Sequence, residues 1–579
     1  MAAKTVADQL VEFLTGLGVE RIYGLVGDSL NPVSDSLRRQ SAIEWVDVHN
    51  EEAAAFAAAA EARLTGKLAV CAGSCGPGNT HLIQGLYDAN RSGSKVLAIA
   101  SHIPSGQIGT SFFQETHPEA LFAEASVYAE LANSPRQAAR ILHIATQTAI
   151  ARSGVGVLVL PGDIAAAPAV DAPALGAVST TPPAHVPAPA AVADLAQRLN
   201  AAQKVTLFVG AGVAGAHGQV MALAEKLKAP VGHALGGKEW IQYDNPYEVG
   251  MSGLLGYGAA YDACHEADLL LLLGTDFPYD QFLPEKVQIV QVDRNGERLG
   301  RRAKLDQAVE GDVAATVEAL LPLLAEKRDR SFLDKMLSEH CKKLEKVVDA
   351  YTKNVEKHTP IHPEYVASVL DQLADDDAIF TVDTGMCNVW AARYITPNGR
   401  RRIIGSWHHG TMANALPHAI GASCAYPDRQ VISMSGDGGL AMLLGELLTV
   451  VEHQLNTKVI VFNNSTLGMV RLEMLVDAMP AWGTDRPATD YAAIAAAAGM
   501  PSVRITDPAT LADQLREALA ADGPRLIDIV TDPNALSIPP HITGAQLQGF
   551  AMAATRIVLD GGVGDMLKLA RSNLRNIPR

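Results

Sequence analysis

Two short groups in this chain carry the residue types and spacing most able to do chemistry: Gly436-Asp437-Gly438-Gly439, and Asn463-Asn464, with Asn464 27 positions after Asp437. Gln430 to Ser435, before the first group, and Lys458 to Phe462, before the second, read as buried strands. Parallel strands joined by a helix would set Asp437 and Asn464 side by side at the carboxyl edge of one sheet. A carboxylate and an amide oxygen are hard ligands. With the backbone carbonyl of Thr466 they suit an octahedral Mg²⁺ that also takes a water and two oxygens of a diphosphate. Gly438 and Gly439 let the backbone approach that diphosphate closely. Ser465, Thr466, Leu467, Gly468, Met469 and Val470 follow as the loop beside that diphosphate and the start of a helix. Glu473, further along it, is a proton-transfer candidate.

Three blocks of alternating strand and helix patterns position these groups. In the first, Arg21 to Val26, Leu68 to Cys71, Lys95 to Ala100 and Val155 to Leu160 are short apolar strands, which indicates a parallel sheet covered by helices. Six prolines over residues 165–190 mark a linker. The second block has strands at Val205 to Val209, Leu269 to Leu273 and Gln288 to Val292. A charged helical stretch, Glu326 to Lys357, leads to the third, with strands at Ala378 to Val382, Val431 to Ser435, Val459 to Phe462 and Leu526 to Val530. The expected organisation is α/β: three doubly wound parallel-sheet domains over 1–180, 190–335 and 355–535, then a short helical tail over 540–579, set off by Pro539-Pro540.

Composition narrows the function. Hydrophobic residues at 48% and charged residues at 19% are those of an ordinary globular protein. A formal net charge of −16 argues against nucleic-acid binding. Six cysteines without a dense framework indicate a reducing compartment. Cys71 and Cys75 have no matching Cys/His pair to make a zinc site. An amphipathic helix, Val6 to Leu17, starts almost at the N-terminus, and no apolar run is long enough to cross a bilayer. The expectation is a cytoplasmic protein, at most held on a membrane surface.

With the Asn pair at its spacing, the Gly-Asp-Gly group resembles the signature of thiamine-diphosphate (ThDP) enzymes. Their chemistry needs a carboxylate against N1′ of the aminopyrimidine, promoting the imino tautomer that removes the C2 proton. The resemblance assigns that role to Glu51, at the head of an Ala-rich helix after a strand around Trp45 to Val48. Asn50 stands where the family has His. Gly410-Thr411-Met412 resembles the segment that bends the cofactor: Met412 wedges between its rings, and the Gly410 carbonyl accepts from the 4′-amino group. Phe113-Gln114-Glu115 resembles the segment in which the aromatic ring borders the substrate and the Gln faces the cofactor. Gly73 to Asn79 fits either a loop lining the same cleft or a structural turn.

In the middle block, Val209 to His217, with Gly210 and Gly212, is a loose dinucleotide-type phosphate loop. It is joined by Gly253-Leu254-Leu255-Gly256, by Asp276-Phe277-Pro278-Tyr279-Asp280, and by Asp293, placed at a strand end to hold a ribose hydroxyl. Together they resemble the FAD-binding domain of pyruvate oxidases. NAD is the rival; the usual strand–GxGxxG–helix unit at a chain start is missing.

From Met566 onward there are four cations, Lys568, Arg571, Arg575 and Arg579, and no carboxylate. On a helix they share one face, with Val563, Met566, Leu567, Ala570, Leu574 and Ile577 opposite. Two readings stay open: a helix lying in an anionic lipid interface, or one packed on the protein's own surface.

Gly27 to Asn31, His102-Ile103-Pro104-Ser105 and Phe113 to Glu119 resemble the bacterial pyruvate:quinone oxidoreductases. That resemblance implies oxidative decarboxylation of pyruvate to acetate and CO₂ via hydroxyethyl-ThDP, with electrons passing to FAD and then to a membrane quinone. It implies ThDP, Mg²⁺ and FAD as cofactors, and peripheral attachment to the inner face of the cell membrane. It also implies a homotetramer whose cofactor spans two subunits, Glu51 coming from one and the metal from the other. The alternatives are an acetolactate-synthase-like carboligase with structural FAD, and a phosphate-dependent, oxygen-using pyruvate oxidase. The basic tail favours the quinone enzyme.

Overall fold

Val205–Val209 and Leu269–Leu273 are buried along their whole length, as strands are when helices cover both faces of a sheet. The computed structural model describes residues 3–170, 177–180, 184–535 and 563–576, and it contains three such sheets. The first joins β1 (Arg21–Gly24), β2 (Glu44–Asp47), β3 (Ala69–Gly73), β4 (Val96–His102), β5 (Tyr128–Leu131) and β6 (Val155–Pro161) in the order β2-β1-β3-β4-β6-β5. The second joins β7 (Val205–Val209), β8 (Val231–His233), β9 (Glu248–Met251), β10 (Tyr257–Gly258), β11 (Leu269–Leu273), β12 (Gln288–Asp293) and β13 (Gln307–Glu310) in the order β10-β9-β8-β7-β11-β12-β13. The third joins β14 (Ile379–Val382), β15 (Arg402–Gly405), β16 (Val431–Gly436), β17 (Thr457–Asn463), β18 (Ser502–Ile505) and β19 (Arg525–Val530) in the order β15-β14-β16-β17-β19-β18.

The first and third sheets have the same strand order, and all their neighbouring strands are parallel. In each, the winding reverses near the middle of the sheet, between β1 and β3 and between β14 and β16, and the last two strands swap places at the edge. Ligands of such sheets bind outside the carboxyl ends of the strands at that reversal.

Some elements differ from expectation. The sheet-edge strands β5, β13 and β18 are mostly half-buried and lack the continuous apolar run that marks the central strands. The middle sheet is not wholly parallel. β10 pairs antiparallel with β9, because the few residues between them are too short for a crossover. The charged stretch from Glu326 is α-helical only over Ser331–Lys343; it then widens into a π-helical turn, Leu344–Val348, and ends in a 3-10 turn at the buried Tyr351.

Helices bolt the outer domains together. The helix Glu51–Thr65 is buried at nearly every position because Pro77–Arg91 and Ala415–Ala425 both pack on it. Its alanines permit close crossings. A Cβ on Gly85 would stand 2.5 Å from Ala55 Cβ, and one on Gly421 2.1 Å from the Ala57 carbonyl oxygen. Between the middle and third domains, Arg402 Nε donates to Glu239 Oε2 at 2.9 Å.

The tail helix Val563–Asn573 is docked on the third domain. Leu569, Ser572 and Asn573 are buried. Ser572 Oγ donates to Asp532 Oδ2 (2.7 Å), Asn573 Nδ2 donates to the Asn534 carbonyl (2.8 Å), and the Arg575 guanidinium lies over the Tyr351 ring. The helix thus uses a third face, one that sorting into cations and apolar residues could not single out. Leu567 and Leu574, 55% and 61% exposed, point outward beside exposed Lys568 and Arg571. Residues 540–562 and 577–579, with Ile577 and Arg579, lie outside the described residues, as do the side chains of Val563 and Met566. Among the described residues no helix is long and apolar enough to cross a membrane.

Candidate functional site

β16 and β17 run in register from Val431↔Thr457 to Gly436↔Phe462. Asp437 and Asn464 therefore leave the sheet at the same edge. Beside them, β14 ends at the reversal and hands over to Asp383-Thr384-Gly385. A cavity opens there. Its walls include Thr384–Cys387, Met412, Gly436–Gly439, Asn464, Thr466–Val470 and Asp532, all from the third domain.

Asp437 is 5% exposed and accepts from the Gly438 N–H (2.9 Å) and the Ser465 N–H (2.7 Å). Burial nevertheless pushes its carboxyl up to about 6; a divalent cation in the cavity would offset that cost. Asn464 Oδ1 accepts from the Thr466 N–H at 3.0 Å, in a turn where Ser465 has φ +53°. Asn463 has a different job. It is buried, and its amide donates to Asp528 Oδ1 (2.8 Å) and the Thr489 carbonyl (2.9 Å), tying β17 to its neighbours.

The Gly410-Thr411-Met412 loop is held from two sides. Gly410 has φ +72°. Gln84 Nε2, from the first domain, donates to Thr411 Oγ1 at 2.7 Å. The Thr411 N–H donates to Ser406 Oγ (3.2 Å), which in turn donates to buried Asp88 Oδ1 (2.6 Å). Met412 reaches the cavity, its Cε 3.4 Å from where a Cβ on Gly438 would stand.

Asp383 escaped the sequence reading. It is fully buried, Asn414 Nδ2 donates to its Oδ1 at 3.2 Å, and its Oδ2 has no hydrogen-bond partner. Burial pushes this carboxyl up to about 7. A Cβ on Gly439 would stand 1.7 Å from that Oδ2, so Gly439 must be glycine for the diphosphate-type turn to close over it. The one signal was position, at the end of a central strand.

Glu51 begins its helix, is 4% exposed, and does not line the Asp437 cavity. Asn50 caps the helix by accepting from the Glu52 N–H (2.9 Å). An imidazole nevertheless stands beside the carboxylate: His81 Nδ1 lies 2.9 Å from Glu51 Oε2. His81, also unforeseen, comes from the next helix. A Cβ on Gly78 would stand 2.7 Å from Glu51 Oε1, so the Gly73–Asn79 loop is shaped around this carboxylate. Gln114 has φ +62°, and Cys75 Sγ donates to its Oε1 at 3.3 Å. Phe113 is 77% exposed.

Three family descriptions match in chain order: Thiamine pyrophosphate enzyme, N-terminal TPP binding domain, over residues 4–121; central domain, over 192–320; and C-terminal TPP binding domain, over 383–529. The chain is 34% identical to YdaP of Bacillus subtilis, a provisionally assigned thiamine pyrophosphate-containing protein, over 99% of both chains. It is 30% identical to a pyruvate oxidase of Lactiplantibacillus plantarum, over 90% of this chain and 87% of the other. It is 32% identical to an acetolactate synthase large subunit of Parasynechococcus marenigrum, over 95% and 92%. The chain belongs to the thiamine pyrophosphate enzyme family. It is a ThDP-dependent enzyme built on that family's three-domain α/β fold.

Within this ThDP enzyme the middle-domain segments gather around the ends of β7, β11 and β12. Cβ atoms on Gly210 and Gly212 would meet Thr275 and Gly274 at 2.6 Å, so these glycines let two strand ends pack together, whatever else they bind. Gly253, at φ +114°, lies against the Phe277 ring, and Gly256 against the Met251 and Gly253 carbonyls. Leu254 is 45% exposed. Asp276 pairs with Arg301 (3.3 Å) and Arg302 (3.5 Å), and Asp280 opens a short 3-10 turn after Pro278-Tyr279. Asp293 is 4% exposed at the end of β12, accepting from the Asn295 N–H (2.9 Å), and burial raises its carboxyl. Glu473 is exposed and does not line the Asp437 cavity. It faces the middle domain instead, where its charge adds to burial in raising the Tyr279 hydroxyl.

Proposed function

We propose that this enzyme oxidatively decarboxylates pyruvate to acetate and CO₂, with electrons passing through FAD to a membrane quinone. The observation that carries the reading is the cavity at the β14/β16 reversal, where Asp437, Asn464 and Thr466 converge with Met412 and two close-approach glycines. The donor set fits Mg²⁺. It is all oxygen, and no group of three or more His, Cys, Asp or Glu among the described residues could hold a metal, so diphosphate oxygens complete the shell. ThDP, when bound, supplies a nucleophilic carbon and an electron sink for decarboxylating a 2-oxo acid.

The chain's own residues would do the following. Asp437, Asn464 and the Thr466 carbonyl hold the metal and diphosphate. Met412, on a loop fixed by Gln84 and Ser406, wedges the cofactor into its bent form. Glu51, oriented by His81, holds a proton at its carboxylate. Phe113 and Gln114 border the substrate, and Asp293 accepts from a flavin ribose. Similarity to a pyruvate oxidase along most of the chain supports the substrate. The outward apolar residues and cations of the tail support a quinone drawn from a membrane, reached by a peripheral homotetramer at its inner face.

Similarity to an acetolactate synthase supports a second reading, carboligation with FAD only structural. Product analysis separates them: the enzyme given pyruvate and ferricyanide is expected to release acetate and CO₂ in equal amounts. Acetolactate as the main product would overturn the proposal.

A further inference from the structure

The loop Gly253-Leu254-Leu255-Gly256 joins β9 to β10 in the middle domain, but part of its support comes from the third. Arg393 Nη2 donates to the Gly256 carbonyl at 3.1 Å. Arg393 is 8% exposed, and burial lowers its pKa from the usual guanidinium range. Taking a guanidinium out of water is unfavourable unless its donors are used, and this one is used across a domain boundary.

The helix that carries Arg393, Met386–Tyr394, begins at the Asp437 cavity. Met386, Cys387 and Trp390 stand in the cavity wall. Trp390 and Arg393 are neighbours on one helix face, and the helix covers about 10 Å from its first residue to Arg393. Tyr394 Oη fixes the far end by donating to the Val348 carbonyl at 2.8 Å. The hairpin that Arg393 grips is itself held by the third domain. Met251 and Tyr257 face each other across β9 and β10 and share an apolar cluster with Trp390, Ala391 and Tyr394. At the start of β9, Glu248 Oε2 lies 2.9 Å from His340 Nε2. The other side of the loop meets the Phe277 ring just after β11, 3.2 Å from where a Cβ on Gly253 would stand, and Leu254 stays exposed. The loop therefore lies at the strand ends where the flavin is proposed.

We infer that Arg393 is a positioning residue for the flavin: through the Gly256 carbonyl it holds the Gly253–Gly256 loop at a fixed place relative to the Asp437 cavity. The inference rests on the FAD reading above. Two cofactors carried by different domains need a fixed separation, and a preorganised site obtains it from supporting bonds on a rigid element. The helix Met386–Tyr394 is that element. Its first turn belongs to the wall of one site, and its last turn grips the loop of the other. The bond between Arg402 and Glu239 crosses the same boundary, but Arg402 is not in the cavity wall.

The test titrates the full-length chain with FAD and, separately, with ThDP and Mg²⁺. In Arg393→Met the Kd for FAD is expected to rise about tenfold, the scale of one lost hydrogen bond, with the Kd for ThDP within about twofold of wild type. The visible band of the bound flavin is expected to move toward that of free FAD. Arg393→Lys keeps the buried charge but not the fork that reaches the carbonyl, so it is expected to give a smaller rise in the same direction; it also serves if Arg393→Met fails to fold. An FAD Kd within about twofold of wild type in every folded variant, or an equal rise in the FAD and ThDP constants, overturns the inference. Wild type that binds FAD without being bleached by pyruvate fails the oxidative reading alone, and the two affinities still decide the role of Arg393. Wild type that binds no FAD overturns the FAD reading and this role together.

Discussion

The proposed function gives two carboxylates opposite tasks. Glu51 is to act on a proton, so Glu51→Gln, which keeps the shape and His81's neighbour, is expected to cut turnover about 10²–10⁴-fold while calorimetry shows ThDP still bound. Asp437 is to hold a metal, so Asp437→Ala is expected to lose Mg²⁺ and ThDP together. Retained ThDP affinity would show the metal is elsewhere. The pH dependence follows. The Asp437 carboxyl is raised to about 6, and proton and metal compete for it, so cofactor affinity is expected to be full at pH 7–8 and to weaken as pH falls through about 6. Without cofactor the sign reverses. The raised carboxyls of Asp437 and Asp383 bind more protons folded than unfolded, so apoprotein stability is expected to fall as pH rises from about 4 to 7. The Asp437–Asn464 pair was legible in sequence because one strand–helix–strand unit fixes its spacing. His81 and Asp383 were not, since their partners Glu51 and Gly439 reach them only through tertiary packing.

At the level of elements, sequence marked the central strands because burial on both faces demands unbroken apolar runs; Val205–Val209 and Leu269–Leu273 fall where the pattern set them. Edge strands such as Gln307–Glu310 carry no such demand and left no such run. The tail shows a different limit. Its amphipathic split was visible, but Ser572 and Asn573 dock it through specific partners on Asp532 and Asn534, and no periodicity reveals a partner. Asp532 also borders the Asp437 cavity, so the tail lies against the site's wall. Deleting residues 561–579 is expected to spare reduction of a soluble dye and to abolish salt-sensitive flotation with anionic vesicles, at about 1 kcal/mol per cation. Equal flotation of the shortened and full chains would move the membrane contact to another surface.

At the scale of the molecule, the proposed proton carrier and the proposed metal site belong to different domains, and the walls of the metal cavity come from the third domain alone. In the proposed assembly a cofactor spanning two copies of the chain would join them. Co-expressed Glu51→Gln and Asp437→Ala chains are then expected to recover activity, since random pairing leaves about a quarter of the sites with both native residues; no recovery would place each site within one chain. The central claim is that pyruvate's electrons reach the flavin. Its most direct test is the visible spectrum of the purified holoenzyme when pyruvate is added without oxygen. Bleaching of the flavin band, with acetate formed in step, is the expected result; an unchanged yellow spectrum while acetolactate accumulates would contradict it.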